Sequence, residues 1–360
     1  VDCDHAEVLA PWAKGIDLMP GYVLDGAGRV DLPRRPLAVT VDAPGVSVEV
    51  WAFGPDGTGA GQVLNPRPGL MILPRVDSET VVMARPSSGA GGFPQGTVLH
   101  VTIGVDSERD PDPERAELTP IDVSGLHGVE LATIAPVGDR LEVTARKTAV
   151  DVPLSDLAAR ARSAARGLLR VDRLPEMRRL LVEVDIDTTI SMLPRIEDRS
   201  IRAVVDIVAG IATVVGARDS VQVNLIGGAV TTPPSGELRD LADRVQAELD
   251  VAGLGVGFRS AAIDRSSRVV ETLVVTVTDA VPADRVRDGG AGSAVRPHLV
   301  LLAPRSAGAA AEVGATVVAP PEAGGDLVPA LLADADELSR VVESLLAEVA
   351  ALQDSEGVLR

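Results

Sequence analysis

The sequence predicts two folded parts in tandem: an all-β, sandwich-like N-terminal domain, then a three-layer α/β domain on a mostly parallel sheet. Three observations carry this. At 360 residues the chain is too long for one ordinary core. Up to about residue 150, short apolar runs with period-two alternation are separated by Gly/Pro turns. Beyond about residue 151, apolar strands alternate with amphipathic helices. The expected limits are 1–150 for the β-rich domain, 151–172 for a linker helix and 173–355 for the α/β domain.

In the first part, Val39 and Val41, then Val46, Val48 and Val50, alternate with Thr40, Asp42, Ser47 and Glu49, the pattern of half-buried strands. Further strands are expected at 70–73, 80–83 and 97–103, and a hairpin at 129–144 around Gly138-Asp139. Turn clusters at Gly54-Pro55-Asp56-Gly57 and Asn65-Pro66-Arg67-Pro68-Gly69 punctuate them, which suits a β-sandwich. The acidic stretch 106–114 reads as an exposed loop. Ser155 is the expected N-cap of the linker helix, which continues through Leu157–Leu169. The α/β part then reads strand 179–185, helix 201–215, strand 221–226, helix 237–249, strands 273–277, 299–303 and 316–319, and a closing helix through Leu338, Val341, Val342, Leu345, Leu346 and Val349. That alternation predicts a sheet covered by helices on both faces.

Composition narrows the function. Aromatics make up only 2% of residues, so Val, Leu, Ile and Ala must build the cores, as in buried parallel strands. A net charge of −18 argues against nucleic acid as a partner, because a phosphate backbone needs a basic face. Cys3 is the single cysteine, which excludes an intramolecular disulfide and a cysteine zinc site. No apolar run reaches the roughly 18 residues of a membrane span. No basic region followed by an apolar one opens the sequence, so cytoplasm is the expected location.

Ligands of open α/β sheets bind at the carboxyl ends of strands. The first strand of the α/β part runs into Val184-Asp185-Ile186-Asp187-Thr188-Thr189-Ile190-Ser191-Met192. An aspartate at a strand end, with hydroxyls two and four residues later, can turn three oxygens toward one point, a set that suits Mg²⁺. The stretch resembles the metal-ion-dependent adhesion site (MIDAS) of the von Willebrand factor A family, whose first motif is Asp-x-Ser-x-Ser, often followed by Met. Asp187, Thr189, Ser191 and Met192 occupy those places, with Thr189 replacing the first Ser. The family continues with an amphipathic helix and a second strand, matched by Asp219-Ser220-Val221-Gln222-Val223-Asn224-Leu225-Ile226. Its later strand ends in Thr-Asp-Gly, matched by Val274–Asp279 with Ala280 replacing the Gly.

The resemblance implies a non-enzymatic protein-interaction module. Its Mg²⁺ would be held by Asp187, Thr189 and Ser191, with Asp279 in support through water, and would take a carboxylate of a protein partner as last ligand. The family's Gly-Gly-Thr loop, whose Thr is a metal ligand, has its best local match in Gly255-Val256-Gly257-Phe258-Arg259-Ser260. Gly257 then stands where the Thr belongs, which implies weakened metal binding unless Thr231, Thr232 or Ser260 reaches in. Gly253, Gly255 and Gly257 read as a turn rather than a phosphate cradle, because they follow a helix rather than the first strand.

Asp185-Ile186-Asp187-Thr188-Thr189 also resembles the Asp-x-Asp-x-Thr signature of haloacid-dehalogenase-like phosphatases. That alternative implies Asp185 as nucleophile, Asp187 as general acid/base and Mg²⁺ as charge clamp. No lysine follows Lys147, so Arg259 or Arg268 would have to hold the phosphate, and the family's late acidic pair has no match. His5, His100, His127 and His298 are dispersed and form no triad pattern. Trp12 and Trp51 read as core residues. The order of a β-rich domain before an α/β one is similar to bacterial chains that join a TerD-like tellurium-resistance domain to a von Willebrand A domain, which implies a stress-response context. The acidic calcium motifs of TerD-like domains have no match in residues 20–110.

Overall fold

The computed structural model describes residues 21–54, 59, 61–87, 91–107, 113–146, 152–218, 220–259, 262–283, 294–304, 314–321 and 325–357. Cys3, His5, Trp12, Asp219 and Ser260 lie outside them. The chain divides into two compact units, Val1–Asp151 and Val152–Arg360.

The first unit holds β1 (Gly21–Leu24), β2 (Arg29–Pro33), β3 (Leu37–Asp42), β4 (Val48–Phe53), β5 (Leu64–Arg67), β6 (Leu70–Leu73), β7 (Thr80–Pro86), β8 (Val98–Val105), β9 (Arg115–Asp122), β10 (Val129–Val137) and β11 (Arg140–Ala145). They form one sheet in the order β1-β9-β8-β3-β6-β5 and another in the order β2-β11-β10-β7-β4. Only β1 with β9 is parallel; the other pairs are antiparallel. Alternate residues of both sheets, among them Leu37, Val39, Val41, Val101, Ile103, Ile134 and Val143, share one core, so the unit is a sandwich. In the β10–β11 hairpin, Val137 pairs with Arg140 across Gly138-Asp139, and Gly138 takes the positive φ of +60° that this two-residue turn demands. The sequence hid β9 because Pro120 interrupts its apolar pattern. The proline sits where the β8–β9 register slips, with Leu99 facing Ile121 and Val101 facing Leu118, so no ladder bond is asked of it. At the rim of the first sheet every residue of β5, which contains Pro66, is exposed.

The second unit contains α1 (Asp156–Leu169), β12 (Leu181–Asp187), α2 (Leu193–Glu197), α3 (Ser200–Val215), β13 (Gln222–Ile226), β14 (Val230–Thr231), α4 (Leu241–Val251), β15 (Thr272–Thr278), β16 (Val295–Leu302), β17 (Thr316–Val318), α5 (Leu327–Ala333) and α6 (Ala335–Gly357). Ser155 caps α1 by accepting a hydrogen bond from the Ala158 N–H at 3.2 Å. This helix was expected as a linker; instead Leu157, Ala158, Ala161, Ala165 and Leu169 are buried in the core of the second unit. Its small residues explain why. A Cβ at Gly210 of α3 would overlap the Ala158 carbonyl oxygen and lie 3.0 Å from the Ala161 methyl, so the bare glycine lets the two helices close up.

The sheet runs β14-β13-β12-β15-β16-β17, parallel except for the edge strand β14. Numbered from β12, that order is 3-2-1-4-5-6, and the direction of progression reverses between β12 and β15, which is the switch point of the sheet. Val182, Val184 and Ile186 of β12, with Val223, Leu225, Val275, Val277 and Val300, point into the core with the buried residues of α1, α3, α4, α5 and α6. The described helices pack on this face. The other face carries Glu183, Asp185, Asp187, Asn224, Thr276 and Thr278, all buried. Among the described residues, the segment 262–271 lies over part of it through Arg265 and Arg268.

Candidate metal centre

Asp187 ends β12 at the switch point, on the polar face. Its Oδ1 accepts the Thr189 N–H at 2.8 Å and its Oδ2 accepts the Thr278 hydroxyl at 2.7 Å, which fixes the plane of the carboxylate. The chain then turns through Ile190–Met192, and the fully buried Met192 anchors the turn in the core. Thr189 Oγ1 and Ser191 Oγ lie 3.1 Å apart, and Ser191 donates to Asp279 Oδ1 at 3.1 Å. Since Ser191 has one proton and gives it to Asp279, Thr189 is the donor to Ser191. Asp187, Thr189, Ser191 and Asp279 thus meet in one hydrogen-bonded set drawn from the ends of two neighbouring strands. Thr278, which the sequence reading did not single out, belongs to the same set. Asp187 and Thr189 are buried, Asp279 is half-buried and Ser191 is exposed, so the set opens to solvent on the serine side. It is a group of hard oxygens. Among the described residues no three His, Cys, Asp or Glu side chains come together as a ligand group.

The third loop lies alongside. Thr189 and Gly255 form a parallel bridge, in which the Gly255 N–H donates to the Thr188 carbonyl at 2.9 Å and the Ile190 N–H donates to the Gly255 carbonyl at 2.9 Å. A Cβ at Gly255 would come within 2.7 Å of the Gly228 nitrogen and 2.8 Å of the Gly227 carbonyl carbon, so only glycine fits this crossing. At Gly257 an added Cβ meets nothing within 4 Å. Thr232 donates to Asn224 Oδ1 at 3.3 Å and so joins a different network, and Thr231 lies in the edge strand opposite Leu225.

That network surrounds Asp185, two residues before Asp187 on the same face and 1% exposed. Arg265 forks between Asp185 Oδ1 and Glu183 Oε2, each at 2.8 Å, Arg268 bonds Glu183 Oε1, and Asn224 donates to Asp185 Oδ1 at 2.9 Å. Asp185 Oδ2 is buried with no hydrogen-bond partner. Burial works against the Arg265 charge, but the hydrogen bonds and charges of Asp185 and Glu183 outweigh it and hold its pKa above the ordinary arginine value. Glu183 was missed in the sequence. Its signal was the period-two series Glu183, Asp185, Asp187 in an otherwise apolar strand.

The histidines do other work. His298 Nε2 lies 2.7 Å from Thr316 Oγ1, which donates to Ser344 at 2.6 Å, tying β16 and β17 to α6. His100 and His127 are exposed. Trp51 is half-buried in β4, with the Arg85 guanidinium 5.0 Å from its ring centre. No described helix is long and apolar enough to cross a membrane. No protein-family model matches the chain, and no curated protein matches it.

Proposed function

We propose that the α/β unit is a von Willebrand factor A-like interaction module, non-enzymatic and cytoplasmic, in which Asp187, Thr189 and Ser191 hold Mg²⁺ with Asp279 in support. A bound ion would supply an open coordination position for a carboxylate of a protein partner. The observation that carries this reading is the continuous set Asp187, Thr189, Ser191 and Asp279 at the switch point of the sheet. Its donors are carboxylate and hydroxyl oxygens, the ligands a hard divalent cation accepts. The pinned carboxylate of Asp187 and the exposed hydroxyl of Ser191 hold one side of such a site and leave the other accessible. The Thr189–Gly255 pairing supports the alignment that puts Gly257 at the family's threonine position.

The phosphatase alternative is less well supported, because Asp185 is buried and held by Arg265 and Asn224, out of reach of a phosphorus atom. A bacterial stress-response setting of the tellurium-resistance type is a wider proposal. It rests only on a β-rich unit preceding such a module.

Calorimetry with Mg²⁺ and Mn²⁺ on the full chain tests the reading, with thermal unfolding as a second readout. We expect weak, millimolar-range binding, since one hydroxyl is missing and magnesium dehydrates reluctantly. Tenfold excess over Kd then stabilises the fold by about 1.4 kcal/mol. Asp187→Ala should abolish the effect, and Gly257→Thr, which has room for the side chain, should strengthen it. No magnesium-dependent change in either the parent or the Gly257→Thr protein would sink the reading while leaving the fold untouched.

A further inference from the structure

The amino edge of the parallel sheet, opposite the candidate metal centre, carries a cleft of about 470 Å³. One wall is the turn 176–179 that leads into β12; the other is Val269–Glu271, which leads into β15. Met177 is 99% and Val269 91% exposed, and Val270 is exposed beside them. Both walls are pinned by their backbones, which holds these side chains outward. The Leu181 N–H donates to the Glu271 carbonyl at 2.8 Å, the Thr272 hydroxyl donates to the Val270 carbonyl at 2.9 Å, and Arg268, just before the valines, grips Glu183. Across the cleft the Leu180 N–H donates to the Val215 carbonyl at 2.9 Å and the Ala217 N–H to the Leu180 carbonyl at 2.7 Å. Three apolar side chains gathered in water around one cleft mark a surface that something covers.

Charge says what kind of partner fits. Of the charged groups that line the cleft, Glu271 is held by Arg296 at 2.9 Å, the Arg179 Nε donates to the Leu174 carbonyl at 2.9 Å, and Arg178 also has a partner within the protein. Among the described residues, Glu176 has neither an ion pair nor a side-chain hydrogen bond. The available charge is therefore one exposed carboxylate on a chain of net charge −18. Such a surface attracts a cationic group and repels nucleic acid, an anionic membrane and a second copy of the chain. We propose that this cleft docks an extended segment of a basic partner protein, which seats a large aliphatic side chain against Met177, Val269 and Val270 and pairs an adjacent lysine or arginine with Glu176.

The shape of the cleft favours a chain segment over a small cation. Pockets for small molecules enclose most of the ligand, whereas here the apolar rim stands almost wholly in water, so the occupant has to lie across it. The unbranched thioether of Met177 adapts to different aliphatic neighbours. The walls are already formed, so little ordering cost is incurred on binding. β12 and β15 are each seven residues long. At about 3.3 Å per residue the cleft then lies roughly 20 Å from the Asp187 set. The dock therefore needs no Mg²⁺ and stands apart from the function proposed above.

The methionine methyl groups test the proposal by NMR on the full chain without Mg²⁺, because Met177 reports on the cleft and the buried Met192 on the loop that ends in the metal set. Capped Gly-Leu-Lys-Gly should shift the Met177 methyl and leave that of Met192 in place. Capped Gly-Ala-Lys-Gly should bind about tenfold more weakly, for want of the buried leucine, and capped Gly-Leu-Glu-Gly about threefold more weakly, for want of the exposed ion pair. Val269→Ser should remove most of the leucine preference and Glu176→Gln most of the lysine preference, while Asp187→Ala should change neither. No Met177 shift at millimolar peptide, equal binding of the three peptides, or a shift at Met192 instead would overturn the dock. So would a leucine preference that survives Val269→Ser or a lysine preference that survives Glu176→Gln. Each of these results leaves the metal centre standing.

Discussion

The two faces of β12 are equally buried and chemically opposite. Val182, Val184 and Ile186 meet the helices, whereas Glu183, Asp185 and Asp187 meet arginines, an asparagine and hydroxyls. On the helix face burial is favourable in itself, and each methylene contributes on its own. On the other face burial is costly, and it is tolerated only because each charge has found a partner. An apolar face of this kind degrades gradually under substitution; a paired polar face fails as a unit. The polar face is also the one whose carboxyl end opens to solvent with oxygens already gathered, so the candidate chemistry lies where the strand is hardest to stabilise.

Removing Arg265 should break that comparison most visibly. Arg265→Ala leaves Asp185 and Glu183 buried with most of their neutralisation gone, and we expect a loss of about 3–5 kcal/mol in denaturant unfolding. On the opposite face Ile186→Ala opens a cavity and should cost about 2–5 kcal/mol, toward the lower end if the neighbouring valines relax into it. Equal or reversed costs would show that the ion pairs add nothing beyond shape. Next comes Gly210→Ala between α1 and α3. Its overlap with the Ala158 carbonyl should cost about 1–3 kcal/mol even though alanine is the better helix former, and an unchanged melting temperature would show that the helices can part freely.

The smallest effect concerns a carboxyl buried on the helix side. Asp206 of α3 has its pKa raised by burial, which outweighs the hydrogen bond from Ser155 at 2.8 Å and the nearby charge of Arg202. Folding therefore favours its protonated form. The associated stability is fully present below the ordinary aspartate value and is lost as pH rises through the raised one. Asp206→Asn should accordingly raise the melting temperature at neutral pH, with the gain shrinking to nothing in acid. A gain that persists unchanged in acid would mean that the charge is irrelevant.

Much of this was legible in the residues, because local periodicity reports local burial. The strands at 70–73 and around Gly138-Asp139, the Ser155 cap and the closing helix all follow from alternation, turn chemistry or a 3.6-residue stripe. The loop from Asp187 to Ser191 was readable because its spacing is short-range. What stayed hidden depends on distant partners. Glu183 looks like a solvent-facing residue until Arg265 and Arg268, more than eighty positions later, fold over it. The membership of α1 in the second core depends on Gly210, which looks in sequence like a weak point in a helix. The segments 252–259 and 262–271 have no periodicity, because one glycine crossing holds the first and ion pairs the second rather than a hydrophobic stripe.

The sheet rims have a consequence for the protein at high concentration. Four of the edge strands, β1, β5, β14 and β17, are four residues long or shorter, and fibril-forming segments need about six or seven. Pro66 in β5 denies an incoming chain a backbone donor, and Glu49 on the longer rim strand β4 is held by Arg85. A Val- and Leu-rich chain with this much strand would ordinarily be prone to stack into amyloid. Among the described residues, the four short rims offer little template for that, and the six-residue β4 meets the length only with a charged, paired glutamate near its start.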